Sequence, residues 1–234
     1  GVAVSAFIQI GSVIAVITYF WGDLLDVLAG ISKIVIQRKF RDSKKQLSMS
    51  IVVGTIPIIF VGVLVKLFWS GYETSPLRSL PSIALVSIVM AFFLAIAEKF
   101  GSRTKTEANI KISDGFQIGL AQALAIFPGV SRSGITITAA LLQGWERDSA
   151  ARFCFLLGIP AITLSALAEI KGALAAQYSG GLVPLLLGVL SAAITSWLAI
   201  DFLLKFLRSN TTMIFVWYRL IFGILIFSWW YLFV

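Results

Sequence analysis

The segment Phe127-Pro128-Gly129-Val130-Ser131-Arg132-Ser133-Gly134-Ile135-Thr136 breaks an apolar stretch that runs from Ser113 to Gly144. A helix that crosses a bilayer needs about 20 mostly apolar residues. Each flank of this break supplies only about ten to fourteen. Pro128 and Gly129 stop the first flank, because proline removes a backbone donor and clashes with the preceding turn. The stretch therefore reads as a re-entrant helical hairpin. Its irregular tip lies inside the membrane, where non-helical backbone is tolerated only against protein or a water-filled cavity.

The tip is rich in groups that bind anions. Ser131, Ser133 and Thr136 place hydroxyls where the second half-helix starts, and Gly129 and Gly134 let backbone approach a ligand closely. Free N–H groups and the positive end of the helix dipole point the same way. Arg132 adds a permanently charged planar fork suited to phosphate oxygens. The alternative is that the hydroxyls only cap the helix and Arg132 pairs with an acid. Gln117 and Gln122 on the first half-helix would bind polar groups in a cavity or hold helices together. Arg219, after Trp217 and Tyr218, would support the polar site or snorkel to the interface.

Outward from the hairpin, six stretches are long and apolar enough to span: approximately Val2–Trp21, Leu47–Trp69, Pro81–Ala97, Arg152–Ile170, Leu182–Phe206 and Thr211–Val234. The composition agrees. Of 234 residues, 59% are hydrophobic and 13% charged, against about 25% charged in a soluble domain. That excludes a disordered chain, a disulfide scaffold and an ordinary cytosolic enzyme. The runs favour helices over the alternation of a β-barrel. The expected fold is an all-α polytopic membrane bundle of six spans plus one re-entrant hairpin. The sequence contains no histidine, so this chain performs no imidazole chemistry. Its single cysteine, Cys154, sits in an apolar run and reads as a small buried hydrophobe.

Basic residues set the orientation. Lys33, Arg38, Lys39, Arg41, Lys44, Lys45, Lys99, Arg103, Lys105, Lys111, Arg147, Arg152, Lys205 and Arg208 fall on one side, and Arg78 and Lys171 on the other. The richer side is cytoplasmic by the positive-inside rule. The net charge of +8 is then explained by anionic lipid headgroups, with no nucleic acid as partner. Trp69, Tyr72, Tyr178, Trp229, Trp230 and Tyr231 fall at the outer interface, and Trp21 and Trp145 at the inner one. Glu98, Asp114 and Glu169 read as solvated at span ends, and Asp201 as pairing with a neighbouring helix. Lys66 is close enough to its helix end to snorkel.

Three spans precede the hairpin and three follow it, so residues 1–100 and 151–234 form two repeats of opposite orientation around the hairpin at 113–144. Direct similarity between the halves is weak, and this reading rests on topology. By symmetry the first repeat should open with a hairpin of its own, entering from outside. The sequence starts at Gly1, so the expectation is a processed or N-terminally incomplete chain.

The phrase FPGVSRSGITITAALLQG at Phe127–Gly144 resembles the second signature of the undecaprenyl pyrophosphate phosphatases, also called bacitracin-resistance proteins, Pro-Gly-x-Ser-Arg-Ser-Gly. The continuation ARFCFLLGIP at Ala151–Pro160 is similar as well. So are FIQIGSVIAVITYFW at Phe7–Trp21 and the Tyr218-Arg219 pair. The resemblance implies hydrolysis of undecaprenyl diphosphate to the monophosphate, recycling the lipid carrier for peptidoglycan and conferring bacitracin resistance. It implies a bacterial plasma-membrane enzyme with its site facing the periplasm, a polyprenyl diphosphate and the bilayer as partners, and room for a homo-oligomer. Ser131 and Arg132 would be catalytic, and Ser133, Gly134, Thr136, Gly129, Gln122 and Arg219 would bind substrate. A divalent cation, Mg²⁺ or Ca²⁺, is implied too. The family's first signature carries paired glutamates and a Ser-Ser-Thr-Gly-His segment, which this sequence lacks. The metal ligands would belong to that segment, and a chain without it is expected to turn over poorly. The competing readings are an inverted-repeat transporter and a non-catalytic lipid-diphosphate binder or flippase.

Overall fold

A computed structural model describes the backbone of residues 2–37, 43–69, 71–175 and 182–233. Arg38, Lys39, Arg41 and Tyr178 lie outside the described residues, as do the side chains of Lys33, Glu169 and Lys171. The described chain is helical: α1 (Val2–Tyr19), α2 (Trp21–Gln37), α3 (Ser43–Phe68), α4 (Leu80–Phe100), α5 (Ile112–Ala123), α6 (Arg132–Leu142), α7 (Arg147–Ala175), α8 (Leu182–Ser209) and α9 (Met213–Phe233). Helices α3, α4, α7, α8 and α9 are each long and apolar enough to span. Ile8–Tyr19 and Trp21–Ser32 are long and apolar enough only when taken together, and they bend by 74° at their junction, as a broken span or a re-entrant loop does. The protein is thus a polytopic membrane helix bundle.

Helix α2 corrects the sequence reading, which leaves that region in a loop. Val27 and Gly30 are buried against α3, while Trp21, Leu25 and Leu28 stay exposed along another face. Asp23 pairs with Arg152 at 2.5 Å and Asp26 with Lys44 at 3.0 Å. The segment carries both an apolar stripe and a charged one, and its charges hide its helical period from a search for long apolar runs.

The hairpin consists of α5, a 3-10 turn at Leu124–Ile126, the tip, and α6. At 1.5 Å per residue its two α-helices are about 18 and 16 Å long, short of the roughly 30 Å hydrocarbon core. The first half is seated by small residues. A Cβ on Gly119 would collide with the Gly54 carbonyl oxygen, and one on Gly115 would collide with that of Ser50. With no side chain between them, α3 and α5 meet backbone to backbone, the small-xxx-small contact that dispersion and packing favour in lipid. Helix α6 packs on α4 and α7. Half of the α7 span is buried, against 6% of the α8 span, so α7 is the central post and α8 faces lipid.

At the hairpin's base, Trp145 is fully buried and stacked on Phe153 at 5.2 Å. Two residues there depart from the solvated positions expected of them. The Glu98 carboxylate is buried and accepts from Arg147 Nε at 3.0 Å and from Thr212 Oγ1 at 2.7 Å. Asp114 is buried, pairs with Lys105 at 2.8 Å, and accepts the Lys111 N–H at 2.9 Å. Both lie where helix ends meet loops, and burial there follows from having basic partners within reach. Asp201 behaves as expected: it accepts from Tyr19 on α1 at 3.2 Å and pairs with Lys205 at 2.7 Å. Lys66 is exposed in the last turn of α3, and Cys154 is buried.

Candidate active site

A cavity of about 320 Å³ opens beside the hairpin tip. Gly129, Ser131, Ser133 and Gly134 line it from the tip, with Arg219 from α9 and Ser87 from α4. The remaining wall is mostly apolar: Leu94, Ile137, Leu203, Leu207, Phe215 and Phe222. A polar patch thus faces a space bounded by hydrocarbon, the shape of a site for an amphiphile with a compact anionic head.

The tip is held in an unusual conformation. Gly129 has φ +89°, and a Cβ there would come within 2.7 Å of the Ile83 carbonyl oxygen on α4. Ser131 has φ 65° and ψ 115° at the N-cap of α6. A positive φ in a residue with a side chain costs on the order of 1–3 kcal/mol and persists only where its surroundings enforce it. Arg219 supplies much of that enforcement. It donates to the Gly129 carbonyl at 2.6 Å and the Val130 carbonyl at 3.1 Å, and its Nε reaches the Ser87 carbonyl at 3.4 Å. Gly134 leaves room for it, since a Cβ there would be 2.8 Å from Arg219 Nη1. Arg219 therefore does not snorkel; it braces the tip and lines the cavity.

The structure brings together five of the eight residues singled out in the sequence: Gly129, Ser131, Ser133, Gly134 and Arg219. Ser131 Oγ also accepts the Gly134 N–H at 3.3 Å, so it caps α6 while facing the cavity. Arg132 is half-buried in the first turn of α6, off the cavity wall. It has no ion pair among the described residues, and its Nη1 is buried without a hydrogen-bond partner. The acidic partner allowed for in the sequence reading is not there. Thr136 is buried and turned inward, donating to the Arg132 carbonyl at 2.9 Å. Gln122 is fully buried, off the cavity wall, and its amide N and O are both unpartnered. Gln117 is exposed. Sequence reasoning missed Ser87 and Thr212, which also line the cavity. A lone serine in the middle of the apolar run of α4 was the available signal for Ser87.

A second polar cluster lies near the hairpin's base. Glu107 and Asp148 line a cavity with Arg152 and Arg208. Burial raises the Glu107 carboxyl to about 7, against the pull of Arg152, whose Nε stands 3.6 Å away.

The donor set at the tip does not fit a resident divalent cation. Mg²⁺ and Ca²⁺ take oxygen ligands with carboxylates prominent among them. The tip offers serine hydroxyls beside a guanidinium, and the described residues contain no cluster of three Asp, Glu, His or Cys side chains able to hold a metal.

The family model for the bacitracin resistance protein BacA matches residues 1–225. The chain belongs to the BacA family. An undecaprenyl-diphosphatase of Prochlorococcus marinus (strain MIT 9313) is 57% identical over 230 residues, covering 98% of this chain and 77% of that protein. Undecaprenyl-diphosphatases of Synechococcus sp. (strain WH7803) and Prochlorococcus marinus (strain MIT 9303) are 55% and 56% identical; each match covers 98% of this chain, and 80% and 78% of the respective relative. This BacA-family chain is accordingly a membrane hydrolase of the phosphatase class. The relatives match nearly all of it and give no support to the expectation of a chain with impaired turnover.

Proposed function

We propose that this protein hydrolyses undecaprenyl diphosphate at the hairpin tip. Water adds to the terminal phosphorus, the bridging P–O bond breaks, and undecaprenyl phosphate and inorganic phosphate leave. The observation that carries the reading is the cavity itself, with a hydroxyl- and guanidinium-lined tip opening onto apolar walls. Ser131, Ser133 and the backbone beside Gly134 hold phosphoryl oxygens. The fork of Arg132 stabilises charge on the group being transferred, a role supported by its buried, unpartnered Nη1. Leu94, Leu203, Leu207 and Phe215 take the first isoprene units. The test is phosphate release from detergent-solubilised undecaprenyl diphosphate. Release above a vector control supports the reading; retention of the lipid without release would make the protein a binder.

The reading extends to architecture and orientation. Residues 1–100 and 151–234 act as two inverted units around the hairpin at 113–144. The pairing of α1 with α7 and of α4 with α9 supports this, because equivalent helices meet across the centre. The enzyme sits in the bacterial plasma membrane with the hairpin's base cytoplasmic and the loop between α3 and α4 outside. Thr74 and Ser102 are exposed at the two ends, and Cys154 is buried, so introduced cysteines report without background. A membrane-impermeant thiol reagent added to intact cells labels a Thr74→Cys variant and leaves Ser102→Cys unlabelled. The opposite pattern overturns the orientation.

A further inference from the structure

The hairpin tip must find partners for carbonyls that the broken helix cannot satisfy. In a continuous helix the Ile126 carbonyl would accept from the Val130 N–H. That N–H instead goes to the Phe127 carbonyl at 3.3 Å, because Pro128 and the positive φ of Gly129 turn the chain. Further along, the Gly129 and Val130 carbonyls are taken by Arg219, and the Ser131 carbonyl by the Ile135 N–H at 3.0 Å. The Ile126 carbonyl accepts from the Tyr72 hydroxyl, fifty-four positions away in the loop between α3 and α4. Backbone groups withdrawn from water are nearly always paired, and this contact gives the half-buried Ile126 carbonyl a partner from outside the hairpin.

Tyr72 is itself held. Its ring meets Trp69 edge-on at 5.5 Å between centroids, and the Arg78 guanidinium lies over it at 5.5 Å. Its N–H donates to the Trp69 carbonyl at 3.1 Å. Two 3-10 turns, Tyr72–Thr74 and Pro76–Arg78, stiffen the loop, which leads directly into α4. Ile83 on α4 approaches Gly129 of the tip, and the Ser87 carbonyl accepts from Arg219. Two braces thus hold the chain that leads into the strained Ser131: Tyr72 at Ile126, and Arg219 at Gly129 and Val130.

We propose that Tyr72 is a positioning residue for the reaction. By fixing the Ile126 carbonyl it sets the tip's entry angle, and so the placement of Ser131 and Arg132 against the phosphoryl group. The inference rests on the functional reading above and assigns the loop between α3 and α4 a part in it. A brace of this kind acts on a geometry that matters most in the transition state, and little on capture of the lipid tail.

Tyr72→Phe is the clean variant, because it keeps the ring against Trp69 and Arg78 and removes only the donor. With the full chain in detergent and undecaprenyl diphosphate as substrate, kcat falls about three- to tenfold, the size of one lost hydrogen bond, while KM stays within about twofold. Tyr72→Ala, which also removes the ring contacts, falls further. Unchanged kcat, a rise in KM alone, or a drop in folded yield with normal turnover per folded molecule each overturns the proposal. Arg132→Lys measured in parallel separates two failures. If it is slow while Tyr72→Phe is normal, only the brace is refuted. If both turn over normally, the brace is refuted together with the part assigned to the Arg132 guanidinium.

Discussion

Arg132→Lys lowers the turnover of undecaprenyl diphosphate by about two to three orders of magnitude. The substitution keeps the positive charge and the first residue of α6. What it removes is the planar fork, which presents paired donors to two phosphoryl oxygens at once; lysine offers a flexible point charge instead. Geometry makes that difference large here. Arg132 has no acidic partner among the described residues, and its Nη1 is buried without one. Leaving a buried cationic donor unpaired is costly, and a phosphoryl oxygen is the acceptor that would relieve it. Its chain neighbours on both sides, Ser131 and Ser133, are on the cavity wall. The check is kcat at saturating substrate on protein of matched folded yield. Turnover within about threefold of the parent would reject a direct part for the guanidinium. It would leave Ser131, Ser133 and the helix N-terminus to hold the phosphate.

The hairpin was legible because it obeys a length rule. Two apolar runs too short to span, joined by Pro128-Gly129 and a cluster of hydroxyls, permit few alternatives in a bilayer. The longest apolar runs were legible for the same reason. Helix α2 was not: Asp23, Asp26 and Lys33 break the apolar run, and a test for length overlooks an amphipathic period. At the site, residue type told which groups could bind phosphate but not which way they face. Thr136 and Ser133 look equivalent in the sequence, yet one is turned into the helix and the other toward the cavity. Arg219 was recognisable as a cation at membrane depth. Its task of holding two carbonyls ninety positions away in the chain depends on the packing of α4 on α9, which no local pattern encodes.

Glu98 was the most misleading residue in the sequence, and its removal has the largest expected effect on stability. It lies in the last turn of α4, followed by Lys99, where a solvated end is the ordinary reading. In the fold its carboxylate, 6% exposed, joins three elements. Arg147 donates from the start of α7, with Nε at 3.0 Å. Thr212 donates from the entry to α9 through its hydroxyl at 2.7 Å and its N–H at 3.2 Å, so Glu98 also caps that helix. Arg103 approaches at 3.5 Å and turns back to bind the carbonyls of Ala97 and Glu98. Glu98→Leu keeps much of the volume and removes every one of these acceptors. Arg147 and Arg103 are then left facing each other beside an uncapped helix. Breaking a buried pair by deleting one partner costs about 3–5 kcal/mol. The lower part of that range applies, because the Arg147 side chain is 30% exposed and water can take over part of its charge. For a chain of this size each kcal/mol shifts the midpoint by about 2–4 °C, so heated aliquots followed by size exclusion should melt roughly 6–12 °C lower. Glu98→Gln, which can still accept from Thr212, should lose less than half as much. The two variants together separate the charge from the cap: equal losses would mean that the ion pairs carry the contact, and a leucine variant as stable as the parent would remove Glu98 from the account of what holds α4, α7 and α9 together at the hairpin's base. Thr212 also lines the cavity, so the leucine variant is expected to lose activity below its own melting point, through the α9 residues that carry Arg219 to the tip.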